Sequence, residues 1–225
     1  MRLLCTSDIH RNSIIADNIL KAIKDENIDV FINGGDFLDN QFAYDFLTKL
    51  KVRSFIVQGN WDMGLNFNNK YVTIDNFGVF RFGDYHFMCV GGGFPFSVQD
   101  ALDIVKDIDS KRLIIITHYP PYGILDRAWS NTHAGYPEYR KFLEEKKPSL
   151  HVFGHIHESN GTEKFNGTLA INCALADYGE GRGYIVDLPD KSVKVVNLNE
   201  TKSDTPLKFQ STISHIIRKR KQSLS

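Results

Sequence analysis

"DVFINGGDFLDNQFAYDFLTKLKVRSFIVQGNWDMG", Asp29 to Gly64, sets two apolar runs on either side of a helical pattern. A short apolar run, Asp29–Ile32, ends in Gly34-Gly35-Asp36. Apolar residues then recur at helical spacing over Phe42–Leu50. A second apolar run over Ser54–Val57 ends in Gly59-Asn60-Trp61-Asp62. Strand, helix and strand follow one another, and both strands end in glycine followed by a residue able to bind a metal. Upstream, Arg2–Thr6 reads as a strand. Ser13–Glu26 reads as a helix, with apolar side chains at 14, 15, 19, 20 and 23. This β-α-β-α-β order implies a parallel, layered α/β sheet.

Downstream the pattern changes. "YVTIDNF", "GVFRFG" and "DYHFMCV" between Tyr71 and Val90 read as an antiparallel meander, followed by the loop "GGGFPF". Gln99–Asp107 reads as a short helix and Arg112–His118 as a strand. Tyr136–Lys147 reads as a helix stopped by Pro148, and Leu150–His155 as another strand. "TEKFNGTLAINCA" carries an Asn-Gly hairpin signal at 166–167. "GRGYIVDL" and "KSVKVVNL" are further strands. The expectation is a largely parallel half joined to an antiparallel half, forming one domain over 1–200. A C-terminal tail, 201–225, contains the basic run Arg218-Lys219-Arg220-Lys221. A solvated tail is the expectation there, and a patch for RNA or membranes is the alternative.

Of 225 residues, 42% are hydrophobic and 24% charged, enough for one large domain with a substantial core. Lys+Arg and Asp+Glu both number 27, so no overall field draws the chain to nucleic acid or membranes. Any anionic substrate must be held by local chemistry. Cys5, Cys89 and Cys173 are odd in number and widely spaced. They fit neither a disulfide framework nor a CxxC metal site, and they suit reduced, buried thiols. The N-terminal apolar run is too short for a signal peptide, and no stretch approaches a membrane span. A cytoplasmic location is expected, and nothing in the sequence sets an oligomeric state.

Five expected strands end in metal-competent residues: Asp8-x-His10, Gly35-Asp36, Gly59-Asn60, Thr117-His118 and Gly154-His155-x-His157. Each alone is weak, since turns and caps use the same residues. Together they converge, because open α/β sheets bind ligands beyond the carboxyl ends of their strands. Asp, Asn and His without Cys suit Mn²⁺, Fe or Zn²⁺ better than Ca²⁺, and argue against structural zinc. Seven candidate ligands exceed one four-coordinate site. They suit two ions sharing a carboxylate about 3.5–4 Å apart, which generate hydroxide near neutral pH and clamp phosphate oxygens. That is phosphoester hydrolysis.

In order, D-x-H, G-D, G-N-x-D, H and G-H-x-H resemble the motifs of the calcineurin-like metallophosphoesterases, and the match runs from residue 3 to about 190. "THYPPYG", "HVFGHIHE" and "INCA" are similar to the branch that includes the metallophosphoesterase-domain brain proteins and microbial relatives. The resemblance implies a four-layer α/β/β/α sandwich of two mixed sheets flanked by helices. It implies that Asp8, His10 and His157 bind a first metal, that Asp36 bridges, and that Asn60, His118 and His155 bind a second. It implies a dinuclear phosphoesterase, with a phosphodiesterase favoured and Mn²⁺ ahead of Fe or Zn²⁺. The substrate is then a small phosphoester.

The family's motif has His after Asn60, where this chain has Trp61. Indole donates an N–H but cannot act as a general acid. Trp61 is therefore read as a substrate contact. The proton donor must come from elsewhere, and His133 in "NTHAGYPE" is the candidate, as a substitute acid or substrate contact; a loop or helix-capping histidine is the alternative. Arg11 can meet a phosphate or remain a surface residue. Asn12 is a support for the site or the cap of the first helix. His86, His151 and His215 are read as structural, and Tyr119 and Tyr122 as packing residues, with the lining of a pocket as the alternative. Two other functions stay open: a non-catalytic scaffold on this fold, and a nuclease that uses the basic tail.

Overall fold

The computed structural model describes residues 1–62, 64–93, 95–175 and 181–199. The first sheet contains β1 (Arg2–Thr6), β2 (Val30–Asn33), β3 (Arg53–Ile56), β4 (Val72–Ile74), β11 (Arg182–Asp187) and β12 (Ser192–Asn197). The second contains β5 (Phe77–Phe82), β6 (Tyr85–Val90), β7 (Leu113–Thr117), β8 (Leu150–Phe153), β9 (Gly161–Phe165) and β10 (Thr168–Asn172). Among the described residues, four helices flank them: α1 (Ser13–Asp25), α2 (Asn40–Leu47), α3 (Val98–Ile104) and α4 (Pro137–Lys146). Strand order is β12-β11-β1-β2-β3-β4 in one sheet and β5-β6-β7-β8-β10-β9 in the other.

Three apolar layers give the four-layer sandwich. Leu3, Cys5, Val30, Ile32 and Phe55 meet Phe87, Ile114, Ile116, Val152 and Ile171 between the sheets. Leu4, Phe31 and Ile56 point the opposite way, onto Ile15, Ile19, Ala43 and Phe46 of α1 and α2. Met88, Leu113 and Ile115 pack against Ala101, Tyr139, Phe142 and Leu143 of α3 and α4. Alternate residues of one strand thus feed two cores. This is why "LLC" and "LIII" read as continuous apolar runs instead of alternating ones.

The helix starts follow their caps. The Asn12 side chain accepts hydrogen bonds from the backbone N–H groups of Ile14 and Ile15, so it caps α1. Asp39 caps α2 through Phe42 N, which moves that helix start ahead of the apolar spacing that suggested residue 42. Asn166 and Gly167 have φ of 46° and 89°, the paired positive values of a type I′ hairpin between β9 and β10.

Two expectations need correction. Tyr71–Val90 is not a meander. β4 pairs parallel with β3 in the first sheet, and the chain then crosses to the second sheet, where β5 and β6 form an antiparallel pair. A period of two marks a strand but does not name its partner. Nor does the chain divide into parallel and antiparallel halves. Each sheet has a parallel run, β1-β2-β3-β4 or β6-β7-β8-β10, with antiparallel strands beyond one end of it in the first sheet and beyond both ends in the second. The basic run, His215 and the 201–225 boundary lie outside the described residues. All three cysteines are buried free thiols. Among the described residues, no helix is long and apolar enough to cross a membrane.

Candidate metal centre

The parallel strands of both sheets end on one side of the molecule. Asp8 and His10 follow β1, Asp36 follows β2, Asn60 follows β3, His118 follows β7, and His155 and His157 follow β8. Four of these residues have left-handed backbones: Asp8 (φ 57°), His10 (48°), Asp36 (60°) and His155 (67°). Such conformations are unfavourable for non-glycine residues and persist where surrounding structure dictates them. Here the hydrogen bonds are Asp8 N to Gly35 O (2.8 Å), His10 N to Asp36 O (3.2 Å) and Arg11 N to Phe37 O (3.1 Å). The glycines matter by their bareness. A Cβ on Gly59 would lie 1.9 Å from Asp36 Oδ1, and one on Gly154 would lie 2.2 Å from Asp8 Oδ2.

Ligand-type atoms converge as two groups, Asp8–His10–His157 and Asp36–His118–His155, each with its atoms within 4.8 Å of one another. Asp8 Oδ2 accepts from His155 N (3.0 Å), while Oδ1 faces His157 Nε2 (3.3 Å) and His10 Nε2 (3.8 Å). Asp36 Oδ1 accepts from Trp61 N (3.0 Å). Its Oδ2 is 3.9 Å from His10 Nε2 and 3.5 Å from His118 Nε2, facing both groups.

The donor set fits a cation. His118 Nδ1 is 2.8 Å from Gly34 O, a carbonyl that can only accept, so Nδ1 carries the proton. In neutral His118, Nε2 is then a bare lone pair. It faces Asn60 Oδ1 (2.8 Å), His155 Nδ1 (3.2 Å) and Asp36 Oδ2 (3.5 Å). Asn60 Oδ1 and Asp36 Oδ2 are acceptors, and an acceptor facing them in a buried site is unfavourable unless an imidazolium or a cation lies among them.

Charge states agree. Burial pushes the Asp36 carboxyl up to about 6; His118 opposes the rise and the Asp8 charge adds to it. Burial also disfavours ionised Asp8, yet its hydrogen bond with His157 and the nearby His118 hold it below the usual carboxylate range. Burial and repulsion by His118 bring His155 down to about 4, leaving its imidazole neutral and ligand-competent at neutral pH.

The remaining predicted residues line the surroundings. Trp61 is 68% exposed, and its ring stands outside the ligand cluster. Arg11 is exposed beside His10. His133 is not among the converging atoms. It lies on the loop between β7 and α4, with Nδ1 2.6 Å from Asp126 Oδ1. Asp126 is buried, and its Oδ2 accepts from Gly123 N and Gly135 N. That loop borders the His155–Ser159 segment: Ser159 Oγ donates to Arg127 O, Trp129 N donates to Glu158 Oε1, and Asn172 Nδ2 bridges Leu125 O and Ile156 O.

Sequence reasoning missed three contributors. The buried Asp62 carboxylate accepts from Asp36 N (2.6 Å), Phe37 N (2.7 Å) and Gly59 N (3.0 Å), tying the β2 and β3 loops together. Its place in the G-N-x-D motif was a signal. Asp126 carried no local signal. Tyr119, read as packing, packs on two of the candidate ligands: its ring centroid is 4.5 Å from His155 and 5.0 Å from His118. Tyr122 is 43% exposed and sits 5.1 Å from the His133 ring, so it is not a core residue. His151 is fully buried and hydrogen-bonded to Thr117 Oγ1, as its structural reading expects.

Compared with known protein families, residues 1–159 match the calcineurin-like phosphoesterases. The chain belongs to that family. This phosphoesterase is also similar to UPF0046 protein K07C11.7 of Caenorhabditis elegans, 25% identical, over 86% of this chain and 77% of the relative. Among solved structures it shares its fold with TT1561 of Thermus thermophilus (TM-score 0.63, 16% identity, 88% of this chain and 98% of the other). It shares it too with a novel archaeal phosphodiesterase (TM-score 0.57, 19% identity, 87% and 99%).

Proposed function

We propose that this phosphoesterase is a cytoplasmic phosphodiesterase working with two divalent ions, Mn²⁺ ahead of Fe or Zn²⁺. Asp8, His10 and His157 hold one ion, Asn60, His118 and His155 hold the other, and Asp36 is shared. The observation that carries this reading is Asp36 Oδ2, 3.9 Å from His10 Nε2 and 3.5 Å from His118 Nε2 while Oδ1 is tied to Trp61 N. When bound, the ions supply Lewis acidity to phosphoryl oxygens and make a nearby water acidic.

The chain's own groups do the rest. Gly34 O fixes the His118 tautomer. Asn60, with Oδ1 turned to His118, keeps its amide N–H groups for a phosphoryl oxygen as charge develops. Arg11 adds a cation at the mouth. Trp61 offers its exposed ring to the departing group but no proton. Asp126 orients His133 through Nδ1–H, so that His133, in its imidazolium form, can give its Nε2 proton to the leaving oxygen and remain as the neutral Nδ1–H tautomer. Aryl esters with acidic leaving groups need that proton least. Two further observations support a diester. The archaeal neighbour is a phosphodiesterase, and Arg11 alone of the ligand residues' immediate neighbours in sequence is basic, which suits a singly charged ester over a dianion. Buried reduced thiols support the cytoplasmic location.

A screen of metals against nitrophenyl mono- and diesters tests this. Expected is Mn²⁺-dependent hydrolysis of bis(4-nitrophenyl) phosphate, faster than that of 4-nitrophenyl phosphate and lost in Asp36→Ala. A faster monoester, or an active Asp36→Ala, contradicts it.

A further inference from the structure

Beside the second ligand group lies a cleft of about 460 Å³ that the proposed chemistry does not use. Its walls are Pro95, Phe96, Tyr119, Tyr136 and Tyr139, with Glu138 as the one charged lining side chain among the described residues. The four rings form a continuous surface. Tyr119 stacks on Tyr136 (4.8 Å, 26°), Tyr136 meets Tyr139 (5.4 Å), and Tyr139 meets Phe96 edge-on (4.8 Å, 65°). Tyr139 is buried and roots this surface in the core, while Tyr136 is 41% exposed.

The cleft is continuous with the metal end of the molecule. Tyr119 touches both His155 and His118. On the other side, Gly92 lies so close to His118 that a Cβ there would be 3.0 Å from His118 Cδ2. Exposed aromatic surface next to a reactive centre is costly to leave in water and points to a ligand. Such rings favour another ring in offset or edge-on contact over an aliphatic group of equal area. Glu138 disfavours a second anion.

We propose that this cleft holds the ester group that stays on phosphorus, and that this group is an uncharged, planar aromatic ring; the proposal rests on the phosphodiesterase reading. The departing group leaves away from the ligand cluster in an in-line displacement. The cleft lies against the cluster, so it serves the retained group. The ring surface, not the ligand set, then chooses among diesters.

Phenyl 4-nitrophenyl phosphate and methyl 4-nitrophenyl phosphate share a leaving group and differ only in the retained one. The phenyl ester should have a kcat/KM about tenfold higher, with the gain in KM. The phenyl-to-methyl ratio is read in each variant, so general losses of activity cancel. It should fall toward one in Tyr136→Ala, and stay low in Tyr136→Leu, which restores bulk without a ring. A ratio near one in the unmodified chain, or one that survives both substitutions, overturns the proposal. Calorimetry on the Mn²⁺-loaded chain, with diphenyl phosphate against dimethyl phosphate, gives a readout free of turnover. If neither nitrophenyl ester is hydrolysed, the phosphodiesterase reading fails by itself. Tighter binding of diphenyl phosphate would still support the cleft, and equal binding would overturn it.

Discussion

At the floor of the site, His118 is fully buried, Asp36 Oδ1 and Asp8 Oδ2 are held by backbone N–H groups, and four left-handed backbones are fixed by the turns around them. At the rim, Trp61 and Trp129 are 68% and 71% exposed, and His133 depends on one carboxylate for its orientation. The floor is made of strand ends locked by two sheets, and the rim is made of loops resting on them. Rigid floors suit chemistry that must not vary, and loops suit partner choice. The difference predicts that damage below acts on stability and metal binding together, while damage above acts on substrate preference.

Asp62→Ala should break the floor most severely. It leaves Asp36 N, Phe37 N and Gly59 N without their acceptor. An unsatisfied buried N–H costs about 1–3 kcal/mol, so a loss of about 3 kcal/mol or more in urea unfolding is expected, with weaker Mn²⁺ binding. An unchanged midpoint would show that the two loops hold without this carboxylate.

His133→Ala acts on the rim. It should lower kcat for alkyl diesters by about 10²-fold and barely change nitrophenyl esters. Asp126→Asn should lower alkyl-diester kcat in the same direction, because His133 loses the carboxylate that orients it. Equal losses on both ester classes would remove the proton-donor role.

His151 reports on the floor's underside. Burial lowers its pKa to about 3, while in the unfolded chain it titrates near 6.5. Between those values the unfolded chain binds the extra proton, so stability falls as pH falls from 6.5 toward 3. At about 1.4 kcal/mol per pH unit, this group removes about 2 kcal/mol by pH 5. Metal-free unfolding at pH 7 and pH 5 should show that drop shrinking in His151→Gln.

The smallest expected effect belongs to Trp61→His. It should raise alkyl-ester turnover several-fold without changing the Mn²⁺ affinity, since the hydrogen bond from Trp61 to Asp36 comes from the backbone N–H, which the substitution keeps. A variant with altered metal affinity would mean that the indole supports the floor after all.

Much of the floor was legible in the sequence. Five strand ends carried Asp, Asn or His after apolar runs, and the Asn166-Gly167 turn and the Asn12 cap were readable as local chemistry. What escaped was through-space. β4 had the alternation of a strand, but its parallel pairing with β3 depends on sheet register. Asp126 meets His133 only because the loop folds back, and Tyr119 meets His155 only across two strands. Asp62 was visible as part of a motif, yet its three backbone partners come from loops that only tertiary structure joins.

Counting bound ions decides whether two of them share Asp36. The metal-free chain, reloaded with Mn²⁺ and desalted, should carry two ions per chain by elemental analysis. Asp36→Ala should carry no more than one. One ion or fewer in the unmodified chain, or two retained in Asp36→Ala, would contradict that sharing.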